Sequence, residues 1–346
     1  LGMSRDSTQV FPWNMALGAI QNDTLIEKTG RQIAKHCKRL GVHINFAPVV
    51  DINTNPNIPI IGNRSFGEER ENVTCKALAF MKGMQKEGVL SSAKHFPGHG
   101  DTDSDSHETL PTIGFDAKRI DSIELYPYKN LIKEGLSSIM VAHLNVPALE
   151  PRSDYPSSLS KNIVATILRD SLQFRGLTIT DALNMKGVSN FEDPGDIDLA
   201  AFLAGNDMLL MSEDVPLASQ KIVSAYYAGA VTEERLSYSV KKILYAKYKV
   251  GLSNYTPIGT DFIEEELNSI KNEVLNHELV ENSLTIIKNS RASLPIKNLD
   301  LKKIAYVSFG DDSGETFYNE LNKYAQVDWV KASLLNEMIE KLKDYN

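Results

Sequence analysis

Between about residue 20 and residue 250 the chain alternates short apolar runs with longer amphipathic ones, and most of the longer runs stop at a glycine. Thr24-Leu25-Ile26-Glu27 has capping-box spacing and opens a helix that reaches Leu40 and stops at Gly41. The stretch from Val42 to Pro48 alternates like a strand. A helix over 68–87 ends at Gly88 and leads into a strand over 89–93. A helix over 118–134 ends at Gly135 and leads into Ser138-Ile139-Met140-Val141-Ala142. Ser160 caps a helix ending near Gly176, and Leu177-Thr178-Ile179-Thr180 is the next strand. A helix over 196–204 stops at Gly205 before the strand Asp207–Met211, and a helix over 232–249 closes the region at Gly251. Buried strands alternating with helices predict a parallel sheet covered on its faces.

Two architectures fit that pattern, a (β/α)8 barrel and a doubly wound sheet. Polar residues follow nearly every strand: Asp51 and Arg64 after the first, Lys94 to His107 after the second, His143 after the third and Asp181 after the fourth. A doubly wound sheet gathers its site at one switch point. A barrel draws on the carboxyl ends of many strands, which matches better. A barrel has eight strands and five are readable here. The fold expected is therefore α/β, a (β/α)8 TIM-type barrel lacking its first strands, with the start at Leu1 rather than Met in keeping with truncation. Residues 1–251 form this barrel, 252–300 a connector, and 301–346 the beginning of a C-terminal α/β sandwich domain. The last assignment rests on a strand over 303–310 and a helix over 315–324. No G-x-G-x-x-G follows that strand, so its glycine is structural.

A net charge of −8 leaves no basic footprint for nucleic acid, and no apolar run reaches membrane-spanning length. No signal peptide is visible, which leaves a cytoplasmic or periplasmic location open. The oligomeric state is open too. Two cysteines, Cys37 and Cys75, make no disulfide framework and are expected as reduced, buried thiols.

Lys94-His95-Phe96-Pro97-Gly98-His99-Gly100-Asp101-Thr102-Asp103-Ser104-Asp105-Ser106-His107 packs ionisable groups around a proline and two glycines. It has no apolar stripe and cannot be an amphipathic helix, so it reads as an active-site loop launched from a strand end. The alternation Asp101, Asp103, Asp105 resembles the start of a calcium loop. Ser106 stands where such a loop turns on glycine, however, and Thr112 where it needs a bidentate glutamate. No metal and no cofactor are expected. No G-x-S-x-G elbow is present. Asp105 and His107, two apart in extended backbone, share a side, so the carboxylate can raise the basicity of the imidazole. His107 is then either an acid/base catalyst or an exposed loop histidine. Asp181, at its strand end, is either a turn cap or a nucleophile.

The run Lys94–Thr102, followed by Asp105-Ser106-His107 and Leu110-Pro111, resembles the central motif of glycoside hydrolase family 3, in its β-N-acetylglucosaminidase branch. Asn45–Asp51 with Gly62–Gly67, Ile179–Met185 and Ala204–Met211 resemble further motifs of that family in the same order. The resemblance covers residues 1–250 strongly and the remainder loosely. It implies a retaining mechanism on a barrel, with Asp181 as nucleophile and His107, tuned by Asp105, as acid and base. A neutral imidazole in that role does not repel an anionic acceptor, which permits phosphate in place of water. Arg64, Lys94 and His95 are implied as ligands of the sugar's hydroxyl and acetamido groups. Pro97, Gly98 and His99 are expected to shape the loop and Asp207 to be structural. Met140 and His143 are left open as pocket lining. Two departures from the family pattern stand out. No strand ending in Ile/Val-Asp-x-Glu precedes Leu1, and Ala182 replaces a common acid. The implied activity is exo-acting release of terminal N-acetylglucosamine from a carbohydrate substrate, plausibly bacterial cell-wall fragments in peptidoglycan turnover. A β-glucosidase or glycoside phosphorylase on the same scaffold is the alternative, and a non-catalytic sugar-binding module a second one.

Overall fold

Five strands, β1 Ile44–Asn45, β2 Leu90–Phe96, β3 Ser138–Val141, β4 Leu177–Ala182 and β5 Met208–Leu210, lie side by side in sequence order with every neighbouring pair parallel. They form a curled five-stranded parallel half-barrel in an α/β fold. The computed structural model describes residues 8–55, 60–102, 109–290, 292–309, 314–331 and 335–345. The chain divides into two compact units, Leu1–Leu284 and Thr285–Asn346, and the five-stranded sheet belongs to the first.

All four residues of β3 and six of the seven in β2 are buried, as a parallel sheet covered on both faces requires. Helices Asp23–Arg39 and Arg70–Lys86 pack against each other over the β1–β2 end. Asn22 caps the first of them, accepting the Thr24 N–H at 3.1 Å, so the helix opens just ahead of the capping box read at Thr24. Phe96 meets Tyr128 edge to face at 5.1 Å, fixing β2 to the helix Tyr126–Lys133.

Three helices differ from expectation. The helix read over 118–134 is two, Ala117–Ser122 and Tyr126–Lys133, with Pro127 in the first turn of the second. A continuous helix would lose the amide of residue 127 and crowd the carbonyl four residues earlier, so the chain breaks there. Ser160 does cap its helix, accepting the Ile163 N–H at 3.1 Å, but Asn162–Ser171 is wound as a π-helix and ends five residues before Gly176. A helix at Val215–Tyr227 has no counterpart in the sequence reading; the Asp214 carboxylate accepts the Leu217 N–H and Pro216 sits in its first turn.

In the second unit β6 Ile304–Tyr306 and β7 Val327–Trp329 pair in parallel, with helix Glu315–Leu321 between them in sequence. The rings of Tyr306, Phe317, Tyr318 and Trp329 contact one another beside this pair. Both cysteines are free, but only Cys37 is buried. Cys75 is exposed, because it lies on the outer face of Arg70–Lys86 while Thr74, Lys76 and Ala77 turn inward. Among the described residues no helix is long and apolar enough to cross a membrane.

Candidate active site

Beyond β1 the chain keeps to the side of β2. The Ser92 amide donates to the Ala47 carbonyl, Val49 bridges Lys94, and the Val50 amide donates to the Lys94 carbonyl at 2.8 Å. This register carries Asp51 to the carboxyl end of β2. There its Oδ2 lies 2.6 Å from His95 Nδ1, and its Oδ1 accepts the backbone amides of His95 at 3.2 Å and His99 at 2.8 Å. Burial alone would raise this carboxyl's pKa; His95 and His99 outweigh it and hold Asp51 below the usual carboxylate range.

Arg64 closes the short turn Gly62–Arg64. Its guanidinium donates to the Ile60 carbonyl at 3.1 Å and stands 3.3 Å from His95 Nε2. A guanidinium has donors only. His95 therefore accepts at Nε2, and in its neutral form carries its proton on Nδ1, facing Asp51. The order Asp51, His95, Arg64 is a chain in which each group orients the next.

Asp181 stands at the carboxyl end of β4, with its Oδ1 accepting the Ala182 amide at 2.9 Å. Burial pushes its pKa up, but His95, His143, the Ala182 amide and Lys94 together bring it below the ordinary value. Lys94 is lowered in turn, by burial first and by the Arg64 charge, against the pull of Asp181 and Asp51. Arg64, Lys94, His95 and Asp181 thus share one electrostatic neighbourhood, with an ionised carboxylate among cations and imidazoles. Asp105 and His107 lie outside the described residues.

The loop after His95 is shaped by close approach. A Cβ on Gly100 would fall 1.9 Å from the Ile52 carbonyl oxygen, and Gly98 has φ +138°, a value side chains rarely adopt. His99 Nδ1 lies 2.7 Å from Thr102 Oγ1, and burial lowers the pKa of this ring.

These residues follow the strands of a domain that can be recognised as a whole. Residues 2–246 match the glycosyl hydrolase family 3 N terminal domain. The chain belongs to that family. It is 34% identical over 318 residues to "Beta-hexosaminidase A" of Pseudoalteromonas piscicida, a match that takes in 86% of this chain and 52% of that protein. Among solved structures it is similar to a glycoside hydrolase family 3 β-N-acetylglucosaminidase from Paenibacillus sp. str. FPU-7, at TM-score 0.78 and 28% identity, covering 98% of this chain and 66% of that one. A β-glucoside phosphorylase structure is similar at TM-score 0.83 and 25% identity, covering 99% and 65%. The chain spans about half the length of the curated relatives it matches.

Within this family 3 domain, Asp207 sits at the opposite end of the sheet from Asp181. It precedes β5, accepts the Thr178 amide at 2.9 Å and pairs with Lys242, which pins the helix Glu233–Lys249 to the sheet's amino end. Met140 and His143 are buried at the end of β3. Sequence reasoning places Asp51 among the polar residues at strand ends but gives it no role. Its partners lie 44 and 48 residues away, and only strand register brings them together.

Proposed function

We propose that this chain carries the catalytic domain of a retaining exo-β-N-acetylglucosaminidase. The observation that carries the reading is Asp181, a partly buried carboxylate at a strand's carboxyl end, kept ionised by His95, His143 and Lys94. Such a group suits nucleophilic attack on an anomeric carbon. In the first step an Asp181 oxygen bonds that carbon and the bond to the aglycone oxygen breaks, the leaving oxygen taking a proton from His107. In the second step water attacks the glycosyl-enzyme, His107 takes its proton and the Asp181 ester bond breaks. Asp105 orients and polarises His107, and both assignments rest on the motif. Arg64, Lys94 and His95 bind the sugar's hydroxyl and acetamido groups through charge-assisted hydrogen bonds. The same reading gives residues 1–251 to the barrel domain, 252–300 to a connector and 301–346 to a second α/β domain. Similarity to the named β-hexosaminidase and β-N-acetylglucosaminidase supports N-acetylglucosamine as the sugar.

A second reading, phosphorolysis of a β-glucoside, is favoured by the likeness to the β-glucoside phosphorylase. One experiment on the full-length protein addresses both. Labelling with a fluorinated N-acetylglucosaminyl fluoride, followed by peptide mass spectrometry, is expected to mark Asp181. Turnover of 4-nitrophenyl N-acetylglucosaminide is expected to exceed that of the glucoside and to release free sugar in phosphate buffer. Label on another residue removes the nucleophile assignment, and a sugar 1-phosphate product favours phosphorolysis.

A further inference from the structure

We propose that His143 is a positioning residue for Asp181, acting through the backbone of Ala182 and not through the sugar. The inference rests on the reading of Asp181 as nucleophile. The ladder to β3 ends one residue before Asp181, and the ladder to β5 is irregular across it. β3 and β4 pair regularly only as far as Val141 and Thr180, and the β4–β5 register shifts between Ile179 and Ala182. On the β5 side the Thr180 hydroxyl accepts the Leu210 amide at 3.0 Å, and pairing resumes beyond Asp181, where the Leu183 amide donates to the Leu210 carbonyl at 2.8 Å.

On the β3 side the His143 side chain takes over at that point. The ring is fully buried, and Nε2 lies 3.1 Å from the Ala182 carbonyl oxygen. A carbonyl only accepts, so Nε2 carries the proton. Nδ1 lies 2.7 Å from Ser158 Oγ, a hydroxyl that can donate to the ring or accept from it. Ser158 is itself held, its carbonyl accepting from Asn206 Nδ2 at 2.8 Å, while the same amide donates to the Ala201 carbonyl at 2.7 Å. The series therefore runs Asn206, Ser158, His143, Ala182 and Asp181, from the residues just before β5 across to β4. Its last member is the Ala182 N–H donated to Asp181 Oδ1 at 2.9 Å. Holding the Ala182 carbonyl on one side and its amide on the other fixes the dihedrals of residue 182, and with them the direction in which the carboxylate presents its second oxygen. Small misplacements at a reacting centre cost about 100-fold in rate, so the clamp acts on the attack itself.

The test measures labelling rate at Asp181 by the fluorinated N-acetylglucosaminyl fluoride, whose good leaving group needs no proton from an acid catalyst, alongside inhibition by free N-acetylglucosamine. In the full-length protein His143→Leu is expected to slow labelling roughly 10- to 100-fold while the inhibition constant stays at its original value. His143→Gln, whose amide N–H reaches the same carbonyl, is expected to recover most of the rate. Ser158→Ala removes only the hydroxyl that orients the ring. It is expected to slow labelling in the same direction by less, and carries the test should His143→Leu not fold. Full-rate labelling at Asp181 in His143→Leu and Ser158→Ala overturns the proposal, as does equal loss in the Leu and Gln variants. An inhibition constant that rises in step with the loss also overturns it, since the ring would then touch the sugar. Label on another residue in the unaltered protein overturns the nucleophile reading and this proposal with it.

Discussion

Asp51 shows what one buried carboxylate does that its amide cannot. Three donors converge on it: the His95 Nδ1–H and the backbone amides of His95 and His99. An asparagine in its place would offer a single acceptor oxygen. If His95 kept its tautomer, one buried donor would lose its partner. If the ring took its proton on Nε2 instead, that N–H would face the Arg64 guanidinium, 3.3 Å away. Either way a buried donor is stranded, which costs about 1–3 kcal/mol. Asp51→Asn is therefore expected to lower the unfolding free energy in urea by about 1–3 kcal/mol and to raise KM for the glycoside, as Arg64 loses its rest. Unchanged stability would show that the three bonds are not all made by the carboxylate. That Arg64, Lys94, His95 and Asp181 lie near one another was legible where a motif carried them. What each side chain grips was not legible, because Asp51 and His95, or His143 and Ala182, meet only after distant segments are set side by side.

At the scale of elements, the strands were legible because each is a short apolar run soon after a glycine, and all five lie on those runs, although β2 continues through Lys94, His95 and Phe96, which the sequence reading assigned to the loop. Helix interiors were less so. Reading glycine as a stop works at Gly41 and Gly88, with φ of +73° and +82°, and passes over Gly30 and Gly83, which do something else. A Cβ on Gly83 would lie 2.2 Å from the Glu27 carbonyl oxygen and 2.8 Å from the Arg31 nitrogen, and one on Gly30 would lie 2.3 Å from the Phe80 oxygen. Helices Asp23–Arg39 and Arg70–Lys86 cross backbone to backbone at these two residues. Alanine in an open helix interior gains about 1 kcal/mol over glycine. Here the neighbour is main chain and cannot step aside, and overpacking costs about 1–3 kcal/mol or more. The second effect wins. Gly83→Ala is expected to lower the melting temperature, whereas stabilisation of the kind seen at exposed helix glycines would mean that the helices part without loss.

Across the whole molecule, the ionisable groups that folding perturbs make stability depend on pH in stages. The His36 pKa is lowered, by burial first, against the hydrogen bond from Asn272. The unfolded chain then binds the proton more readily, so this share of stability is complete above the imidazole's ordinary value of 6.5 and is lost as pH falls towards the folded value. Asp51 and Asp181 are lowered too, and their contributions fade only below the ordinary carboxylate range. Glu124 works in the opposite sense. Burial raises its pKa, so its share is present in acid and lost as pH rises through the folded value. Glu150 acts at the acid end too. It is buried beneath the Arg152 guanidinium, which donates to both its oxygens at 2.8 and 2.9 Å, while Ser160 and Asn162 donate to Oε2 as well; Arg152 first, and Ser160 after it, hold its pKa down at about 2 against 4.5. That interval corresponds to roughly 3 kcal/mol, fully present above pH 4.5 and lost as pH falls towards 2. Urea unfolding of the full-length protein should therefore show a first decline beginning near pH 6.5 and a steeper one below about 4.5. Glu150→Gln should be less stable at neutral pH, and its curve should approach that of the unaltered protein as pH falls, because a protonated glutamate and a glutamine then carry the same charge. Parallel curves across that range would mean that Arg152 adds nothing through the charge of Glu150, and that only the shape of the contact matters.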